Sequence, residues 1–172
     1  MIRAGKSIDA FAITDIIVER HPDTRYAGRV DIVEQDARRL FAQAAQRHGG
    51  TNEGGMFLMV NEVDGNIDAF ILATLTRIYI IGDKLGATDL FLLGRKSASP
   101  RVLMRLFDAY VAWAEANPKV YEIGASWADT IPGNDGIRAA FKRRGFSLCS
   151  ETYRRERSAP EPQLRILKEC VA

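Results

Sequence analysis

Three cations and two hydroxyls crowd into the seven residues Arg95-Lys96-Ser97-Ala98-Ser99-Pro100-Arg101. Guanidinium, ammonium and hydroxyl groups are the donors that phosphate and carboxylate oxygens take. Ser99-Pro100 also marks a helix start: serine caps free N–H groups, and proline fits the first helical position. A helix N-terminus adds unsatisfied N–H groups and the positive end of the helix dipole. The segment therefore reads in two ways, as an anion cradle or as a capped helix behind a solvated basic loop. Just ahead of it, Asp89 sets a carboxylate at the head of the apolar run Leu90-Phe91-Leu92-Leu93. Further on, Asn134 opens the run Asn134-Asp135-Gly136-Ile137-Arg138-Ala139-Ala140-Phe141-Lys142-Arg143-Arg144-Gly145-Phe146, a short helix closed by a glycine.

These residues need a frame. Residues 1–4 read as a short strand, and Ser7 starts a helix with Ile8, Phe11, Ala12, Ile16 and Val18 on its apolar side, ended by His21-Pro22. A second helix starts near Asp31, which has capping-box spacing to Glu34. Ala37, Leu40, Phe41, Ala44 and Ala45 form its stripe, and Gly49-Gly50 stops it. The period then changes. Residues 56–63 and 67–79 are strands around the Asp64-Gly65 hairpin turn, with Ile80-Ile81 as an extension of the second. Residues 87–93 form a strand expected to be buried on both faces. The helix from Ser99-Pro100 carries Leu103, Leu106, Phe107, Tyr110, Val111 and Ala114 inward, up to Asn117-Pro118. Residues 119–127 are a strand, 134–144 a helix and 146–156 the last strand. The expectation is one α/β domain over residues 1–157 with a 158–172 tail. Its sheet is mixed and mostly antiparallel, covered by helices on both faces, in the order β-α-α-β-β-β-α-β-α-β.

Composition removes other chemistries. The 172 residues are 47% hydrophobic and 27% charged, ordinary for one globular core. Cys149 and Cys170 are too few for a disulfide framework. His21 and His48 lack ligand-spaced companions, so no metal site is expected. No apolar run reaches the roughly 20 residues of a membrane span, and Asp9 and Asp15 interrupt any signal-type stretch. A cytoplasmic location follows as the expectation. The net charge of +2 is uneven: acids outnumber bases through residue 93, and the later part collects Arg95, Lys96, Arg101, Arg105, Arg138, Lys142, Arg143 and Arg144. Such a half draws an anionic ligand, or is simply a solvated face. Nucleic acid ranks last among its partners, because aromatics for stacking do not sit beside the arginines. Trp113 and Trp127 read as packing.

The element order and two of these segments resemble the GCN5-related N-acetyltransferases, over most of residues 1–156. One segment is Asp89 to Arg95 with the helix from Arg101 to Ala114, which most closely resembles acyltransferase-like proteins of tailed bacteriophages. The other is Asn134 to Phe146. The resemblance implies acetyl-CoA lying between the strands at 87–93 and 119–127. Leu92, Leu93, Arg95, Lys96, Ser97, Ser99, Arg101, Val102 and Asn134 would contact the cofactor, and Asp89 would be a candidate base. The acceptor is an unknown amine. The chain also departs from the family. Glycines are missing from its phosphate loop, Pro100 lacks an N–H, and Phe141 stands where the family's tyrosine protonates the departing thiolate. Tyr110 or Tyr121 would replace that acid only if the fold brings one near. The resemblance thus implies either an acyl-CoA-dependent N-acyltransferase or a catalytically degenerate scaffold. The latter would serve with other virion subunits, in host cytoplasm or virion, and a homo-oligomer fits both.

Overall fold

The computed structural model describes residues 1–126 and 135–149. A five-stranded sheet in the order β1-β2-β3-β4-β5 is its frame: β1 (Ile2–Ala4), β2 (Met56–Val63), β3 (Asn66–Arg77), β4 (Leu85–Gly94) and β5 (Val120–Gly124). Neighbours are antiparallel through β4, and β4 with β5 is parallel. Helices α1 (Ala10–Arg20) and α2 (Glu34–Gln46) cover one face of the sheet; α3 (Pro100–Glu115) and α4 (Asp135–Arg143) cover the other. The expected mixed sheet and element order are therefore found across the described residues.

Period-two alternation on β3 feeds both cores. Ala69, Ile71, Ala73 and Leu75 pack with Leu106, Phe107 and Tyr110 of α3, while Phe70 and Leu72 pack with Ile13, Ile16 and Phe41 of the α1–α2 layer. The β2–β3 turn uses Asp64 (φ 50°) and Gly65 (φ 79°), the residue types a tight hairpin tolerates at positive φ. Ser99 caps α3 by accepting from the Arg101 N–H at 3.3 Å. Gly145 (φ 84°) ends α4, with Phe146 N–H donating to Phe141 O and Gly145 N–H to Lys142 O, a Schellman closure.

Several sequence expectations shift. A single turn of 3₁₀ helix at Ser7–Asp9 precedes α1, so the buried side is Ala10, Ile13, Thr14 and Ile16; Ile8, Phe11 and Val18 face solvent. Asp31 does not cap α2, which starts at Glu34 behind Val33 with no side-chain cap. β3 stops at Arg77, and Ile80-Ile81 lie in the turn to β4. β4 is not buried on both faces throughout: Leu90 and Phe91 are 46% and 37% exposed. β5 ends at Gly124, well before residue 127, and residues 146–149 are not in a strand. Residues 127–134 and 150–172, including Trp127, Asn134, Cys170 and the rest of the expected last strand and tail, lie outside the described residues. No described helix is long and apolar enough to cross a membrane.

The first strand is tied down electrostatically. The Arg3 guanidinium holds Asp9 through two bonds of 2.6 and 3.0 Å and Glu62 through a third of 2.6 Å, and Asp9 also accepts the Lys6 N–H at 2.7 Å. Burial alone would raise the Asp9 carboxyl, but Arg3 and the Lys6 N–H outweigh it and hold it below its ordinary value. We expect Asp9→Ala to cost about 2–3 kcal/mol in urea unfolding, because it strands a half-buried guanidinium and a backbone donor. The folded carboxyl titrates lower than the unfolded one. Its contribution is therefore complete above about pH 4 and drains as pH falls through the folded value. A urea midpoint that is equally acid-sensitive in wild type and Asp9→Ala would contradict this.

Candidate functional site

The site is created by a strand that loses one of its two partners. β4 and β5 pair in parallel from Leu85↔Val120 to Thr88↔Gly124, with a register shift between Leu85 and Gly86. Beyond that point β4 keeps β3 as far as Gly94 but has no β5 partner among the described residues. A bulge in the β3–β4 ladder lies at this point. Ala73 faces Asp89 and Leu72 faces Phe91, so Leu90 is the extra residue, and bulges bend and twist the strand that carries them. Among the described residues, the backbone groups of Leu90–Leu93 that face the β5 side have no strand partner there.

Two side chains pin the parting point. The Asp89 carboxylate accepts the Ser126 N–H at 2.7 Å, and the Tyr110 hydroxyl donates to Gly124 O at 2.8 Å. Both side chains are buried. Burial raises the Asp89 carboxyl above its ordinary value, with the Ser126 N–H opposing in part. Burial, with the Asp89 charge beside it, also raises the Tyr110 phenol, which stays protonated at every physiological pH. The fold does bring Tyr110 to the opening, as sequence left conditional, whereas Tyr121 is exposed on β5.

The loop after β4 behaves differently from its sequence reading. Arg95 Nη1 bonds Glu19 Oε2 at 2.7 Å, and its Nε bonds Ile67 O at 3.1 Å. The Lys96 N–H donates to Glu19 Oε1 at 2.9 Å, and the Lys96 ammonium sits 3.0 Å from Asp23. Two carboxylates at the end of α1 thus already hold the loop's first two cations, and the Glu19 and Asp23 carboxyls are held below their ordinary values by these contacts. Ser97 and Ser99 are exposed; Ser99 is committed to the Arg101 N–H, and the Val102 N–H to Ser99 O at 2.9 Å. Arg101 and Arg105 stand exposed one helical turn apart on α3, with no carboxylate partner among the described residues. The i, i+4 spacing from Arg101 was the signal that could have added Arg105 to the anion-binding candidates.

The remaining candidates separate into lining and core. Leu92 and Val102 pack against the α3 layer and Leu93 against the α1–α2 layer, with all three half-buried. Phe141 is in the core: its ring lies 4.7 Å from Phe107 and 6.0 Å from Phe146 between centroids, and it is 6% exposed. Asn134 lies outside the described residues. Among the described residues no group of three His, Cys, Asp or Glu side chains could hold a metal ion.

No protein-family model and no curated protein matches the chain. Solved structures do. The tetramutant of BH1408 protein from Bacillus halodurans matches with TM-score 0.68 and 14% identity, covering 91% of this chain and 99% of that one. A ribosomal-protein-alanine N-acetyltransferase from Brucella melitensis biovar Abortus 2308 matches with TM-score 0.61 and 11% identity over 91% and 99% of the two chains. AAC(6')-Iy, in complex with the bisubstrate analog CoA-S-monomethyl-acetylneamine, matches with TM-score 0.63 and 15% identity over 92% and 98%. The chain shares the fold of these three structures, one of which is an N-acetyltransferase.

Asp89→Asn keeps an acceptor for the Ser126 N–H while removing a buried charge. We expect a higher urea midpoint than wild type at pH 7, by roughly 1 kcal/mol. The folded Asp89 carboxyl titrates above the unfolded one, so its charge costs stability as pH rises through that window, and the advantage of Asn should shrink toward pH 4. An advantage independent of pH would show that the carboxylate charge is not what strains the opening.

Proposed function

We propose that this chain is an acyl-CoA-dependent N-acyltransferase acting on an amine. The observation that carries the reading is that, among the described residues, the pairing of β4 with β5 ends at Thr88, ahead of the N-terminus of α3. Its support is a fold shared with an N-acetyltransferase and with a protein bound to a CoA-containing analog.

The residues present fit such a ligand at two points. Backbone groups of Leu90–Leu93 on the β5 side can pair with amides of an extended chain, as a sheet edge pairs with a strand. Arg101 and Arg105, with the first turn of α3, offer cations to phosphates. Arg95 and Lys96 are less available, since Glu19 and Asp23 hold them. Acyl-CoA supplies an acyl group activated as a thioester. Toward it, Asp89 holds the end of β5 through Ser126 and offers a carboxyl of raised proton affinity beside the opening, a candidate acceptor for the amine's proton. Phe141 donates no proton. Tyr110 spends its proton on Gly124 O, fixing β5. A thiolate of pKa near 8.5 can leave without an acid, and the absence of one is expected to cost about 10²–10⁴ in rate.

A second reading, a scaffold that has lost catalysis, draws on the same loop: its cations are already neutralised, its glycines are absent and Phe141 is core. Service in a virion is a finer form of that reading, with other virion subunits as its partners.

Calorimetric titration with CoA at low salt distinguishes the two. On the acyltransferase reading CoA binds at micromolar level, and the double variant Arg101→Ala, Arg105→Ala weakens it at least about tenfold while flattening its salt dependence. No heat at millimolar CoA in a folded protein would reject the acyltransferase and leave the scaffold.

A further inference from the structure

At the end of the sheet away from this opening, the turn between β3 and β4 is built against ordinary preference. Tyr79 and Ile80 both have positive φ, 55° and 68°, a region that favours glycine, asparagine and aspartate and that a β-branched residue rarely enters. The β2–β3 turn of the same chain solves the same problem with Asp64-Gly65. The strained turn is also firmly closed. Ile78 N–H donates to Lys84 O, Ile80 N–H to Arg77 O and Gly82 N–H to Ile78 O, at 2.8 to 3.0 Å. Gly82 is required there, since a Cβ would meet Ile78 O at 2.5 Å. This closed turn presents Tyr79, Ile80 and Ile81 to solvent at 90%, 83% and 85% exposure. A rigid, strained apolar tip is a feature kept for contact.

Beside the tip lies a shallow cavity of about 480 Å³, lined by Asn52, Glu53, Arg77, Asp83, Leu85 and Lys119. Arg77, Asp83 and Leu85 flank the turn itself, so knob and socket adjoin on one surface. We propose that this surface is a two-fold interface in which the Tyr79–Ile81 knob of one copy seats in the cavity of a second copy. A two-fold axis between an adjoining knob and socket satisfies both at once, as an isologous contact requires. Charge agrees. Glu53 is paired with Arg77 within the chain at 2.8 Å and Asp83 balances Lys119, so the lining carries no net charge and two copies meet without net repulsion. The same neutrality offers nothing to draw the tip to an anionic bilayer. The two knobs alone would bury about 1,000 Å², and the sockets carry the total into the range of stable interfaces. The proposal does not depend on the acyltransferase reading.

Ile80→Gly separates this role from a merely structural one, because glycine relieves the strain while removing the knob. In sedimentation velocity at roughly 0.1–1 mM, wild type should show twice the chain's mass. Ile80→Gly should weaken self-association at least about tenfold and raise the melting temperature. Asn52→Trp, which fills the socket from the other side, should also give a folded monomer. A wild type that stays monomeric at these concentrations overturns the proposal. So does a dimer indifferent to both substitutions. Co-sedimentation of wild type with phosphatidylcholine–phosphatidylserine vesicles, lost in Ile80→Gly, would assign the tip to a membrane surface instead.

Discussion

The structure turns on the uneven partnership of β4. Over its first four residues β4 is a central strand, paired on both sides; over its last six it has, among the described residues, β3 alone. A strand cannot change partners without leaving backbone donors and acceptors exposed, and these must find water, side chains or a ligand. The bulge at Leu90 lies where the change occurs. Asp89 of β4 and Tyr110 of α3 hold the end of β5 by bonding Ser126 N–H and Gly124 O. A buried carboxylate in this role costs desolvation, so the opening is maintained against a gradient rather than by default.

Electrostatics then decide which cations remain available to a ligand. The loop after β4 is rich in positive charge, yet α1 and the 3₁₀ turn that follows it deliver Glu19 and Asp23 to it. The resulting contacts serve the chain's own architecture: they tie the end of α1 to the end of β4, reinforced by Arg20 donating to Gly94 O at 3.0 Å. Positive potential moves to α3, where Arg101 and Arg105 lie without a carboxylate partner among the described residues. The positive charge left without a carboxylate partner in this region therefore lies on the helix more than on the loop.

The aromatic core carries a similar substitution of roles. Phe107, Phe141 and Phe146 form one cluster that docks α4 onto α3 and closes the C-terminal turn of α4. A ring at position 141 thus contributes packing, and a phenolic hydroxyl reaches the end of β5 from α3 through Tyr110. Trp113 extends the layer by stacking on Phe57 at 5.0 Å between centroids, as a packing residue would.

What the sequence determined by itself was local. Alternation on β3, the Asp64-Gly65 turn, the Ser99-Pro100 helix start and the glycine after α4 are written in neighbouring residues, and each is a short-range preference of the backbone. Those preferences, in order, were enough for the sheet and its helical layers. What tertiary structure alone decided was which groups meet across long separations. Ile8 and Phe11 carry the right polarity for a core face, but a 3₁₀ turn before α1 rotates the helix and exposes them. Arg95 carries the right charge for phosphate, but Glu19, 76 residues earlier, reaches it first. Asp89 and Ser126 lie 37 residues apart and meet only because β4 and β5 run parallel side by side. Charge, burial and hydrogen bonding are properties of the folded neighbourhood, and no spacing along the chain encodes them.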